Sequence, residues 1–137
     1  MKYLGLDYGS RQIGIAISDD EGVIAFPRVV IPNNDASLPY IENLIQEAKV
    51  DRVIIGDTRA GNGARNTVTA GAERFAEALA HNSGVSVEYA WEGWSSFEAA
   101  RYAPGSHHDD AVAAAIILQR YIDMKNTHGA ALPEELE

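Results

Sequence analysis

The first third of the chain alternates apolar residues with small or polar ones, which is the period of a half-buried β-strand. Residues 13–17 alternate isoleucine with glycine or alanine, and an earlier apolar run leads into Asp7. A turn containing Gly9 joins these two runs. A third run at 23–31 contains Pro27, which is typical of an edge strand because proline donates no backbone hydrogen bond. The pattern predicts a three-stranded antiparallel meander with a carboxylate at one end of its first strand.

Helical periodicity follows the meander, with apolar residues recurring every three or four positions. Ser37 stands where it can cap the first helix, and Ser95 with Glu98 forms a capping box further on. The predicted elements are helices at 38–49 and 67–80, strands at 52–56 and 85–91, a short helix at 97–103, and a largely apolar helix at 110–124. Crossovers through helices make the two later strands parallel to the first. The predicted fold class is α/β, a five-stranded mixed sheet with helices on both faces.

Length and composition favour one globular domain. Of the 137 residues, 46% are hydrophobic, which suffices for a core at this size. We expect the domain to span 1–124 and the polar, acidic residues 125–137 to form a flexible tail. No apolar run approaches the ~18 to 20 residues of a membrane span, and no signal-peptide pattern opens the chain. We therefore expect a cytoplasmic protein with no membrane partner, either a monomer or a weak homodimer.

The charge balance argues against general attraction to nucleic acid. The chain carries 11 lysines and arginines against 20 acidic residues, a net charge of −9, which predicts weak non-specific binding to a polyanion. Arg11, Arg59 and Arg65 nevertheless lie in predicted turns. The glycine-containing loop that carries the last two is typical either of anion binding or of an ordinary mobile loop. We expect these arginines to rim an acidic depression and to contact phosphate groups.

Acidic residues are predicted to gather at one end of the sheet. Asp7 ends the first strand, Glu92 follows the fifth, and Asp109 and Asp110 begin the last helix. Three carboxylates within ~4 Å would repel by about 4 kcal/mol per pair at an effective dielectric near 20, so their convergence requires a hard cation such as Mg²⁺ or Mn²⁺. With no cysteine in the chain, carboxylates or histidines must hold any metal. Two such ions would support phosphodiester hydrolysis, one by activating water and the other by stabilising the leaving oxygen.

Simpler explanations exist for the acids on the first strand and the last helix. Asp7 is also suited to hydrogen-bonding its own turn, and Asp109 and Asp110 to stabilising a helix N-terminus. A third explanation is the phosphate-binding hairpin of an actin-like or sugar-kinase ATPase. The length of 137 residues counts against it, because such kinases need two large lobes.

Four blocks of sequence carry a family resemblance: Leu4–Gly9 with Ile13–Asp19, Phe75–Ala76 with Leu79, Glu92 with Ser95, Ser96 and Glu98–Ala99, and Asp110–Gln119. In these blocks the chain resembles the YqgF (RuvX) family of pre-16S rRNA nucleases, also described as Holliday-junction-resolvase-like, with a ribonuclease H fold. The resemblance implies a metal-dependent endonuclease that matures the 5′ end of 16S rRNA in ribosome biogenesis. It implies that Asp7, Glu92 and Asp110 are the catalytic triad and hold Mg²⁺ or Mn²⁺. Ser95 and Ser96 join the arginines as candidate substrate-binding residues.

The chain also departs from the family's pattern. Where the family has Asp-Glu-Arg, this chain has Trp91-Glu92-Gly93, so only the glutamate is kept. Gln12 stands where the family has an arginine. Asp57-Thr58 replaces the family's Leu-Pro after the fourth strand. We therefore expect phosphate contacts or substrate choice to differ from the family's.

The basic residues expected before the last acid are His107 and His108. They are either ordinary loop histidines or, with Asp109, auxiliary groups that assist water or product release. Two alternative functions stay open. One is a resolvase acting on branched DNA instead of structured RNA. The other is a catalytically weak binding protein of ribosome assembly, favoured by the net charge of −9 and the changed residues beside Glu92.

Overall fold

The computed structural model describes residues 1–56, 67–90 and 110–131. Its strands are β1 (Tyr3–Tyr8), β2 (Gln12–Ser18), β3 (Ala25–Pro32), β4 (Arg52–Gly56) and β5 (Ser86–Ala90). Its helices are α1 (Ser37–Ala48), α2 (Thr67–Ser83) and α3 (Asp110–Ala131). The predicted strands are found within two residues of these bounds. The predicted short helix at 97–103 falls outside the described residues.

The strands form one mixed sheet in the order β3-β2-β1-β4-β5. β1, β2 and β3 are antiparallel neighbours, and Asp7 on β1 is directly opposite Gly14 on β2. β4 runs parallel to β1, and β5 runs parallel to β4. The predicted meander with two added parallel strands is confirmed, as is the edge position of the strand that contains Pro27. The carboxyl ends of β1, β4 and β5 consequently share one edge of the sheet.

Each face of the sheet has its own apolar core. Leu4 and Leu6 of β1 belong to the core formed with α1 and α2. Tyr3 of β1 belongs to the opposite core, which is formed with α3. The α3 side of that core consists largely of small and aliphatic residues: Ala114, Ala115, Ile117, Leu118 and Ile122. Helices on both faces are therefore confirmed, and side-chain alternation along β1 decides which face each residue meets.

Hydrogen bonds connect α3 to both edges of the sheet. Gln119 accepts a bond from the N–H of Ala25 at 2.8 Å and donates one to the carbonyl of Val23 at 3.0 Å. On the other side, the Tyr121 hydroxyl donates to Glu88 of β5 at 2.8 Å. Burial, with this bond to Glu88 as the next cause, raises the pKa of Tyr121, so the phenol remains a donor at neutral pH. α3 also contacts all five strands, which fixes the position of its first turn.

Ser37 does not cap α1 as predicted. The N-cap residue is Ala36, which makes no side-chain capping bond. The Ser37 hydroxyl instead donates to the carbonyl of Pro32 at 2.7 Å and accepts from the N–H of Asn34 at 2.8 Å. The serine therefore closes the loop before the helix, since a hydroxyl that bonds its preceding backbone is not available to the first turn.

The last helix is longer than predicted. α3 continues to Ala131, whereas the predicted end was residue 124, because residues 124–128 contain neither glycine nor proline. Residues 132–137 lie outside the described part of the chain, and the division into domain and flexible tail stays a prediction. Within the segments that the structure describes, no helix has both the length and the apolar character needed to cross a membrane.

The turn between β2 and β3 provides a pH-dependent contribution to stability. The Asp19 carboxylate accepts bonds from the N–H groups of Ile24 at 2.9 Å and Val23 at 2.7 Å. These bonds, that of Ile24 first, lower the pKa of Asp19 from its ordinary 3.8. A lowered folded-state pKa stabilises the fold above pH 3.8, and this stability is lost as the pH falls through the folded-state value.

We therefore expect Asp19→Asn to melt at a lower temperature than the parent at neutral pH. The difference should shrink once the pH falls below 3.8, because the parent's carboxylate is then protonated. Thermal melts of both proteins across this pH range, followed by circular dichroism, measure the difference. A difference in melting temperature that stays constant with pH would show that the charge of Asp19 does not contribute to the stability of the fold.

Candidate active site

Asp7 lies near the end of β1 with its side chain on the α3 face of the sheet. Leu6, its neighbour, faces the other core, whereas a Cβ on Gly5 would point at α3. Alternation along the strand therefore turns Asp7 toward α3 as well. Asp7 is only 6% exposed. A carboxylate at this depth is costly unless hydrogen bonds or a cation compensate it.

Gly14 lets the first turn of α3 lie directly against the sheet beside Asp7. A Cβ on Gly14 would overlap the backbone carbonyl of Asp110, the first residue of α3. Gly5 allows the same close approach about two turns further along the helix, where a Cβ would lie 2.9 Å from the Cβ of Leu118. The two glycines bring α3 onto β1 and β2, and Gly14 brings Asp110 to the level of Asp7 because it is opposite Asp7 in the sheet register.

The Asp110 carboxylate is bonded to a residue of β2. Gln12 Nε2 donates a hydrogen bond to Asp110 Oδ2 at 2.6 Å. Asp110 also stands in the first turn of α3, where the helix dipole favours a carboxylate by about 0.3 to 1 kcal/mol. This positive helix end lies at the level of Asp7 and reduces the cost of placing a second negative charge there.

The turn between β1 and β2 is braced from outside by Asn33. Its side-chain Nδ2 donates to the carbonyl of Gly9 at 2.7 Å, and its backbone N–H donates to the carbonyl of Arg11 at 3.0 Å. The N–H of Gly9 closes the turn by donating to the carbonyl of Gln12 at 3.0 Å. Arg11 is exposed in this turn, at the same end of the sheet as Asp7. Its contact with phosphate stays a prediction.

The chain leaves β5 at the level of Asp7. Ala90, the last residue of β5, is opposite Gly56, and Ile55 is opposite Leu6. Glu92 follows Ala90 by two positions and lies outside the described residues. The other candidate site residues outside them are Arg59, Arg65, Ser95, Ser96, His107, His108 and Asp109. Their placement and roles stay predictions.

The described donors suit a hard divalent cation. Among the described residues, no group of three or more acidic, histidine or cysteine side chains is placed to hold a metal. Asp7 and Asp110 nevertheless supply two carboxylates at one sheet edge, and the described hydrogen bond to Asp110 comes from the neutral amide of Gln12. Oxygen donors with net negative charge are what Mg²⁺ and Mn²⁺ prefer. The two carboxylates are donors of the kind that such an ion prefers, and Glu92, outside the described residues, stays the predicted third ligand.

Comparison with known protein families shows which family the chain belongs to. The family model for RuvX, described as Holliday junction resolvase, matches residues 1–124. The chain belongs to the RuvX family. A Bordetella petrii protein named "Putative pre-16S rRNA nuclease" is 39% identical over 122 residues, covering 88% of this chain and 93% of that protein. A protein of the same name from Chloroflexus aggregans is 36% identical over 132 residues, covering 89% and 93%.

A solved structure shares the fold of this RuvX chain. The Thermus thermophilus RuvC structure, solved in complex with a Holliday junction substrate, matches with a TM-score of 0.61. The match covers 91% of this chain and 96% of RuvC, at 14% sequence identity. At a sequence identity this low, the match shows a shared fold but not a shared function. The predicted ribonuclease H-like fold is confirmed.

Two residues that shape this RuvX site were not predicted as part of it. Gln12 stood out only as a departure from the family's arginine, and nothing in the sequence pairs it with Asp110. Gly14 counted only as a small residue in an alternating strand. The sequence did contain a sign of this role, since a glycine inside an isoleucine-rich strand often marks a close approach of another backbone.

Proposed function

We propose that this RuvX chain is a divalent-metal-dependent endonuclease that hydrolyses phosphodiester bonds in the 5′-end processing of precursor 16S rRNA. The observation that carries the proposal is the meeting of two carboxylates at one sheet edge, the buried Asp7 of β1 and Asp110 at the start of α3. The name shared by the relatives supports the rRNA substrate.

Asp7, Glu92 and Asp110 are the proposed metal ligands and catalytic residues. Bound Mg²⁺ or Mn²⁺ would supply Lewis acidity and activate water for in-line attack on the phosphodiester. Asp7 fixes one side of the site because it belongs to the central, doubly paired strand. Asp110 approaches from the helix side, held by Gln12. Glu92, two residues beyond the end of β5, is the proposed third ligand.

The substrate side of the site is proposed from the basic and polar candidates. Arg11 sits at the correct end of the sheet, and Arg59 and Arg65 follow β4, whose carboxyl end faces the same edge. Ser95 and Ser96 are further proposed substrate contacts. His107, His108 and Asp109 directly precede the catalytic Asp110 in sequence and are proposed as auxiliary groups for water or product release.

A branched-DNA resolvase is the second candidate. The family model carries that description, and the RuvC relative was solved with a Holliday junction. Both activities use the same carboxylate chemistry on a phosphodiester, so the site geometry is compatible with either. Only a comparison of the two substrates distinguishes these activities.

Side-by-side cleavage assays test the proposal. End-labelled precursor 16S rRNA and a labelled four-way DNA junction are incubated with Mg²⁺, Mn²⁺ or chelator. We expect metal-dependent cleavage of the RNA at the mature 5′ end. Cleavage of the junction alone would favour the resolvase. Binding of RNA without cleavage would favour a ribosome-assembly protein without nuclease activity.

A cytoplasmic location and a monomeric or weakly dimeric state complete the proposal. Precursor rRNA is the substrate that a cytoplasmic enzyme of ribosome assembly would meet. Light scattering coupled to gel filtration measures the oligomeric state, and a stable dimer at micromolar concentration would contradict the proposed one.

Removing two arginines should weaken RNA binding and its salt dependence. Each lost phosphate contact lowers the slope of log affinity against log salt by about 0.7 to 0.9. We therefore expect the Arg59→Ala, Arg65→Ala double variant to flatten the slope by about one to two units. Filter binding of labelled RNA between low and physiological salt measures it. Lys125→Ala, which removes an exposed cation from the far half of α3, is the control. An unchanged slope in the double variant would remove this loop from the binding surface.

A further inference from the structure

We propose that Gln12 is a positioning residue of the metal site, whose amide holds the Asp110 carboxylate so that its second oxygen binds the cation. The inference rests on the metal-dependent function proposed above. It assigns a role to a side chain that touches neither the substrate nor the metal.

The hydrogen bond is short and charge-assisted. Gln12 Nε2 lies 2.6 Å from Asp110 Oδ2, slightly shorter than the ~2.7 to 2.9 Å of charge-assisted N–H···O bonds. The amide nitrogen is the donor of this bond and the Asp110 oxygen is the acceptor. Among the residues that the structure describes, none is bonded to Oδ1 of Asp110. Gln12 therefore holds Oδ2, and Oδ1 is the oxygen that we assign to the cation.

Both ends of this bond are anchored through their backbones. Gln12 is the first residue of β2, and its carbonyl accepts the bond from Gly9 that closes the hairpin turn. Asp110 is the first residue of α3, and its carbonyl lies against Gly14, two residues after Gln12. Because neither backbone can shift independently of the sheet, the bond selects one side-chain rotamer of Asp110.

Preorganisation of this kind favours cation binding. A partly exposed aspartate without a partner samples several rotamers, and binding a metal would have to restrict them. Gln12 imposes that restriction before the metal arrives. Because the amide is neutral, it orients Asp110 without cancelling the negative charge that attracts the cation. Partners that hold metal ligands in this way typically contribute 10- to 100-fold in metal affinity or activity.

The test compares the parent with Gln12→Met, which keeps the side-chain length and removes the donor. Gln46→Met, at an exposed position on α1, is the matched control. Titration calorimetry with Mn²⁺ alone measures the dissociation constant without substrate. We expect Gln12→Met to raise it about tenfold or more, and the control to leave it unchanged. Gln12→Asn, one methylene shorter and still polar, should behave like Gln12→Met because its amide no longer reaches Asp110.

Kinetics provide the second readout. At limiting Mn²⁺ the Gln12 variants should show a lower kcat, and raising Mn²⁺ should restore much of it. The substrate KM at saturating Mn²⁺ should stay at the parent value, because Gln12 acts on the metal ligand and not on the nucleic acid. A raised KM with an unchanged Mn²⁺ dissociation constant would overturn the proposal and make Gln12 a substrate contact.

The outcomes separate this inference from the proposed function. If the parent binds Mn²⁺ and both Gln12 variants bind it equally well, the positioning role is wrong while the metal site stands. If the variants lose melting temperature in chelator but keep the Mn²⁺ dissociation constant, Gln12 only fastens α3 to the sheet and the proposal is again overturned. If the parent binds Mn²⁺ without cleaving either nucleic acid, the nuclease function fails, and a weaker constant in Gln12→Met still supports the positioning role.

Discussion

Asp7→Asn should abolish cleavage and leave the fold intact. The asparagine preserves the shape of the side chain but removes the charge that a hard cation needs at the end of β1. We expect the cleavage rate at saturating Mn²⁺ to fall at least about a thousandfold, the upper end of what one lost electrostatic contact to a transition state costs. Single-turnover cleavage of labelled precursor rRNA measures the loss.

Thermal melts of the same variant separate a metal ligand from a structural turn residue. In chelator, Asp7→Asn should be at least as stable as the parent, because one repulsion within the acidic cluster is relieved. Mn²⁺ at ~100 times its dissociation constant should stabilise the parent by about 2.7 kcal/mol through linkage. The variant should gain clearly less, since it binds the ion more weakly.

Glu77→Gln is the control for this experiment. It removes one exposed carboxylate from α2, away from the Asp7 end of the sheet, and should keep both cleavage and the Mn²⁺ shift. The metal-ligand assignment would be wrong if Asp7→Asn melted well below the parent in chelator while Mn²⁺ failed to stabilise the parent. Asp7 would then be a residue that holds its own turn.

Gly14→Ala is the second change with a large expected effect. Alanine suits a β-strand better than glycine does, so strand propensity alone predicts a gain in stability. The added Cβ, however, would overlap the Asp110 carbonyl, a backbone group that moves only if the first turn of α3 moves. Overpacking of this kind costs about 1 to 3 kcal/mol. We expect a lower melting temperature together with a much weaker response to Mn²⁺, because Asp110 is displaced from Asp7.

Gly5→Ala is the informative comparison for Gly14→Ala. Its Cβ would lie 2.9 Å from the Cβ of Leu118, so it should also destabilise the packing of α3. Leu118 is two turns into the helix, and the strain there does not bear on Asp110 directly. Gly5→Ala should therefore have a lower melting temperature than the parent, yet keep more of the Mn²⁺ stabilisation than Gly14→Ala does. A Gly14→Ala protein as stable as the parent, with a normal Mn²⁺ response, would show that α3 does not lie against β2 at this point.

Strands and cores were predictable because burial is encoded in local patterns. The alternation over 13–17 predicts both the strand and its faces, and the short apolar run at 52–56 coincides with β4. The parallel crossovers follow from chain connectivity alone. Capping was less predictable: Ser37 has the right residue type in the right place, but its hydroxyl is engaged by Pro32 and Asn34.

The candidate site was predictable in its charges and not in its contacts. Asp7 and Asp110 stand out because acids at strand and helix ends need a reason. The bond between Gln12 and Asp110 joins residues 98 positions apart, and no local pattern encodes it. It arises from the docking of α3, which in turn depends on the space left by Gly5 and Gly14.

The docking of α3 onto all five strands also sets when the proposed site can form during synthesis of the chain. β1 emerges from the ribosome before the helix that carries Asp110. At about 5 to 20 residues per second, the 98 positions between Gln12 and Asp110 correspond to about 5 to 20 s of translation. During that interval one apolar face of the sheet is uncovered and Asp110 is not yet beside Asp7. The proposed metal site therefore forms only after α3 has been synthesised and has docked on the sheet.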